Sequence, residues 1–149
     1  MKPKNLKLIA KNKDDLNVLS AHLQDAIVSV SEIAHLKKNK LLLIQMNRFM
    51  WEDVERGIYR KNKRVRTVLK FENVLKVSSK NINYNNKNQF LDFLAIESHE
   101  MTDKTQEMNL VFSDDLILKV SAEVIEVTLD DQGVPWDTEV NQNIKIYDT

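Results

Sequence analysis

The sequence predicts an α+β domain: one N-terminal helix packed on a curved, mostly antiparallel sheet of seven or eight strands, closed partway into a barrel. Three observations predict it. An early stripe of apolar residues, Leu16, Leu19, Leu23 and Ala26, recurs at spacings of three and four, one face of a helix. After that stripe the apolar pattern is almost entirely period two, which is the repeat of a strand. Finally, 149 residues hold one ordinary core and not two, so helix and sheet share it as one domain over residues 1–149. Partial closure is expected because a long flat sheet leaves too many edges open.

Each element has its own local reason. Leu6 to Ala10 reads as a short first strand after a frayed start at residues 1–5. Asp14 is the expected N-cap of the helix, with Asp15 in the first turn favouring the positive end of its dipole. The change to Ile27-Val28-Ser29-Val30-Ser31 ends the helix near Asp25 and opens a strand. Lys37-Lys38-Asn39-Lys40 reads as a hairpin turn between Val30–Leu36 and Leu41–Asn47. Val65, Thr67, Leu69 and Phe71 alternate with Arg64, Arg66, Val68 and Lys70, a half-buried strand interrupted at Glu72-Asn73 by a bulge or tight turn. Strand is the better reading of Leu91–Ser98, although its periodicity also admits a helix. Met108–Phe112, Leu116–Val120 and Glu123–Leu129 read as a meander, with Ser113-Asp114-Asp115 as a turn. Gly133-Val134-Pro135 reads as a turn before Trp136, and residues 141–149 as a polar, frayed end.

Composition excludes several chemistries. With no cysteine there is no disulfide, thiolate metal site, iron–sulfur cluster or cysteine nucleophile. Only Gly57 and Gly133 are glycine, so neither a nucleophile elbow nor a glycine-rich phosphate loop is present. Asparagine, with 15 copies, is expected to fill the turn positions that glycine leaves open. No run approaches the ~18 apolar residues of a membrane helix, and no secretory leader is evident, so a cytoplasmic protein without membrane contact is expected.

The zero net charge hides a split. Residues 1–80 carry +10 and the remainder −10. Such a split marks either a basic binding face or two halves that pack together and neutralise each other; the second is favoured, since one small domain must bring its halves into contact. The densest basic run holds Arg56, Arg60, Lys61, Lys63, Arg64, Arg66 and Lys70 without an acid among them. Tyr59 is interleaved, and Phe49 and Trp51 precede it. On a hairpin this comb of cations suits a nucleic-acid backbone, and the aromatics suit a stacked base. The plainer alternatives are a solvated hairpin tip or cross-strand pairing with the acidic C-terminal strands. Among the histidines, His22 stands three residues before Asp25, a pairing that shares a helix face and holds an imidazole in one tautomer. A cap or buried polar contact is the favoured reading of that pair. The acid pairs Asp14-Asp15, Asp114-Asp115 and Asp130-Asp131 read as solvated surface, and Trp51 and Trp136 as structural anchors.

Several segments together, Leu19-Ser20-Ala21-His22-Leu23-Gln24-Asp25-Ala26, Asn47-Arg48-Phe49-Met50-Trp51-Glu52, Leu94-Ala95-Ile96 and Gly133-Val134-Pro135-Trp136, resemble a bacterial family known as domain of unknown function 2948. The likeness runs over nearly the whole chain in the same order. Ala122-Glu123-Val124-Ile125-Glu126 is similar to the family's late strand but carries valine where a cysteine is often found. The resemblance implies no activity and no catalytic residue. It singles out a polar cluster, His22, Gln24, Asp25, Arg48, Trp51 and Glu52, either a buried hydrogen-bond network docking helix on sheet or the lining of a small cleft.

Function is thus expected to be that of an interaction module with a protein partner, leaning away from enzyme, with no catalytic residue, metal or cofactor. A nucleic-acid-binding module using residues 56–70 is the alternative, and a small-molecule domain ranks last.

Overall fold

The computed structural model describes residues 5–51, 63–83, 85–86 and 88–137. The elements in chain order are β1 (Lys7–Ala10), α1 (Lys13–Leu23), β2 (Ile27–Leu36), β3 (Leu41–Phe49), β4 (Lys63–Phe71), β5 (Val74–Lys80), β6 (Phe90–Glu100), β7 (Gln106–Phe112), β8 (Leu116–Ala122) and β9 (Val127–Asp137). All described pairings are antiparallel, in the order β1-β9-β4-β3-β2-β6-β7-β8-β5. One helix on a large antiparallel sheet is therefore the architecture.

Two expectations about the sheet are corrected. Among the described residues it has nine strands rather than seven or eight, because every alternating segment becomes a strand and Glu72-Asn73 is a true turn between two of them. Nor does it close: β1 and β5 stand at opposite ends of the order and do not pair. The barrel is avoided by a division of labour within β6. Its first residues pair with β2, Phe90 with Ser29 and Asp92 with Ile27, while Phe93 to Glu100 pair with β7. A register shift between Phe93 and Ala95 marks the place where the strand changes partner, the usual effect of a bulge.

Helix α1 covers the side of β6 that β2 leaves. The Asp25 N–H donates to the Phe93 carbonyl at 2.9 Å, Phe93 N–H to the Ala26 carbonyl at 2.9 Å, and Ile96 N–H to the Ser20 hydroxyl at 3.1 Å. Leu16, Leu19 and Leu23 are buried beneath the helix, each stabilising the fold by about 1.5–3 kcal/mol. They join Leu42, Ile44, Leu69, Phe71, Phe93, Leu110, Phe112, Leu118 and Leu129 in one core fed by both halves of the sheet.

The start of α1 differs from expectation. Asn12, not Asp14, is the N-cap: its side chain accepts the Asp15 N–H at 2.8 Å, and the Asp15 carboxylate accepts the Lys11 N–H at 3.0 Å. This reciprocal arrangement is a variant of the capping box. The helix ends at Leu23, and Asp25 turns the chain at φ 64°. Asn73 and Asn81 take positive φ as expected of asparagine, but Lys40, Lys104, Asp114 and Asp115 share that duty. Positive φ at both Asp114 and Asp115 gives the tight β7–β8 turn its primed geometry.

The meander is corrected as well. β7 and β8 form a hairpin, but β9 leaves β8 and runs between β1 and β4. The route is short: Glu72 N–H donates to the Glu126 carbonyl and Glu123 N–H to the Asn73 carbonyl, so β4–β5 and β8–β9 cross at one corner. Gly133-Val134-Pro135 is a bulge within β9 rather than a turn, lying between the Gln132–Arg66 and Trp136–Arg64 pairs, with Gly133 at φ 75°.

Candidate functional site

The motif Asn47-Arg48-Phe49-Met50-Trp51 closes β3, and strand alternation sends its side chains to opposite faces. Leu42, Ile44 and Met46 face the core, so Arg48 must follow them. It is fully buried. On β9, Val127, Leu129 and Asp131 share the inner face by the same parity, and Asp131 is 4% exposed. Arg48 Nε donates to Asp131 Oδ1 at 2.9 Å, Nη2 to Oδ2 at 2.7 Å, and Nη1 to the Phe49 carbonyl at 2.9 Å. Oδ2 also accepts the Leu6 N–H at 3.0 Å. The ion pair thus ties β3 to β9 and to the start of β1. Thr67, opposite both Met46 and Asp131, adds a buried hydroxyl with no hydrogen-bond partner among the described residues. Asp131 does not belong to the solvated surface expected of the Asp130-Asp131 pair. Parity was the available signal: a charge two residues beyond a buried apolar run on each of two strands asks for a counter-charge.

The other face of the motif is aromatic. Phe49 lies opposite Arg64 in register, and the Arg64 guanidinium stacks 3.7 Å from the Phe49 ring centroid. Trp51 packs edge-on against Phe49 at 5.4 Å and donates its indole N–H to the Gln24 carbonyl at 3.0 Å. That bond satisfies a carbonyl just past the end of α1 and joins the helix motif to the strand motif. Arg64 Nη1 donates to the Asn47 carbonyl at 2.9 Å. Burial pushes the Arg64 guanidinium below its ordinary range, while Asp25 and Asp92 pull it back up.

The expected site residues therefore part ways. Arg48 belongs to an interior ion pair, and Trp51 to the outer aromatic group beneath the turn that holds Gln24 and Asp25, both exposed. His22 is half-buried in the last helical turn, and Asp25, outside the helix, no longer shares a helix face with it. In the basic run Lys63 is half-buried, Arg64 is buried and Arg66 is exposed. Lys70 Nζ lies 3.8 Å from Glu72. Arg56, Arg60, Lys61 and Glu52 lie outside the described residues. Trp136, opposite Arg64, is half-buried. Among the described residues no three His, Asp or Glu side chains gather as a metal site would require, and no helix is long and apolar enough to cross a membrane.

Sequence reasoning also missed the exposed side chains beside this group. Phe90 is 67% exposed and Leu94 46%, on either side of Asp92 along β6. No curated protein and no solved structure matches the chain. One family model does, over residues 6–143, which takes in both motifs, the ion pair and all nine strands; the chain belongs to the family described as protein of unknown function (DUF2948).

Proposed function

We propose that the chain is a non-enzymatic protein-interaction module whose docking surface is the outer face of β6 around Phe90, Asp92 and Leu94. The exposure of Phe90 carries this reading. An aromatic side chain left two-thirds in water gains from being covered, and Leu94 extends the apolar ground on the same strand. Asp92 and the exposed Asp25 give the surface an acidic rim, so a partner with a basic edge around an apolar anchor complements it. Arg64 behind them is held by Phe49 and the Asn47 carbonyl, which keeps the support rigid.

Nucleic-acid binding by residues 56–70 is the second reading, favoured by the exposed Arg66. Against it, Arg64 is occupied within the fold and Lys70 is paired with Glu72, so two of its cations are already engaged.

A photo-crosslinking side chain placed at Leu94 in living cells tests the proposal, with the same group at Leu75 on distant β5 as control. A discrete protein adduct at position 94, absent at 75 and removed by Phe90→Ser, is expected. Equal labelling at both positions, or adducts with nucleic acid alone, overturns it.

A further inference from the structure

A second surface feature lies far from the aromatic group. A cavity of about 680 Å³ opens where the start of α1, the β6–β7 turn and the β8–β9 connection meet. That volume suits a small metabolite. Lys11, Lys13 and Lys104 line it, facing Glu100 and Glu123. Glu123 is already within 3.7 Å of Lys40 Nζ, whereas none of the three lysines has an acidic partner among the described residues. The balance of free charge is positive. The first turn of α1 lies on the same side, the positive end of its dipole offset by Asp14 and Asp15.

Ser98 adds an uncharged polar group to the wall. It lines the cavity and is only 8% exposed. A hydroxyl there can donate to or accept from a polar atom placed in the cavity. Gln106 offers an amide from the adjoining strand, and Val124 and Ile125 give one wall an apolar surface. Cations, a hydroxyl and a short apolar wall match a compact anion carried on a small carbon skeleton.

We infer that this cavity binds a small organic anion, its carboxylate or phosphate group held by Lys11, Lys13 and Lys104 and its body lying against Ser98, Gln106 and Val124. The proposal is independent of the β6 docking face. Lysine holds such groups as a point charge, so carboxylate and phosphate are equally suited and experiment separates them.

The test is a titration of the isotope-labelled full chain by nuclear magnetic resonance at about 0.15 M salt, where loose surface attraction is screened. Citrate and glycerol 3-phosphate are the probes, and glycerol is the neutral control. Saturable shifts confined to the amides around Ser98, Lys104 and Gln106 are expected with at least one anion and not with glycerol. The tighter probe identifies the anionic group. Lys104→Gln and Ser98→Ala, with otherwise unchanged spectra, should each weaken binding by about tenfold. Absent shifts with both probes, shifts scattered over lysines elsewhere, or binding unaltered in both variants overturns the inference.

Discussion

Arg48 and Asp131, 83 residues apart, form a two-pronged ion pair inside the domain, at 2.9 and 2.7 Å. Both side chains are within 1% of complete burial. A pair of this kind has given up hydration on both sides, so its effect on stability depends on which partner is removed.

Removing one partner takes from the other the counter-charge it meets inside the fold. Arg48→Met and Asp131→Leu singly should each cost about 3–5 kcal/mol. The double variant should recover most of that loss, with a coupling of about 2 kcal/mol or more. Urea unfolding of the four proteins checks this cycle. Additive losses would mean that the two residues act separately.

Thr67 presents the opposite case, a buried hydroxyl without a described partner. Valine keeps its shape and its fit to the strand. Thr67→Val should leave the fold intact and raise stability by about 1 kcal/mol, read as a higher urea midpoint at unchanged slope.

The helix start gives a third test. Asn12→Ala removes the acceptor of the Asp15 N–H and should cost about 1 kcal/mol. Asn12→Asp should retain most of the capping effect. Thermal melts of both variants distinguish loss of the cap from general damage at this position.

The pH dependence follows from His35. Burial, and secondarily the neighbouring Lys37, lowers its pKa below the ordinary 6.5. The unfolded chain therefore binds a proton more readily than the folded one, so stability rises with pH. The contribution is complete above pH 6.5 and is lost as pH falls toward the lower folded value. His35→Gln should flatten the fall in unfolding midpoint over this window, while leaving the midpoint at neutral pH nearly unchanged.

What the sequence conveyed was local. The stripe Leu16-Leu19-Leu23 marks the helix, Lys37–Lys40 and Ser113–Asp115 mark turns, and each alternating run marks a strand. Alternation says which residues share a face but nothing about which strand lies alongside. The union of β9 with β4 and β1 was therefore invisible, and with it the open sheet and the pairing of Arg48. The capping error has a similar cause: Asn12, Asp14 and Asp15 are all competent caps, and backbone geometry decides among them. The two family motifs meet through Trp51 and a backbone carbonyl, a contact that no side-chain pattern encodes.

The placement of β9 also bears on the order of assembly. β5 to β8 occupy a continuous stretch, Val74–Ala122, enclosed between the neighbours β4 and β9. Among the described residues β1 pairs with β9 alone, and the Leu6–Asp131 contact spans 125 residues. During synthesis on the ribosome, β1 must wait for β9 before it finds a strand to pair with. Until then the guanidinium of β3 lacks Asp131, so arrival of β9 both zips the sheet and brings the two buried charges together.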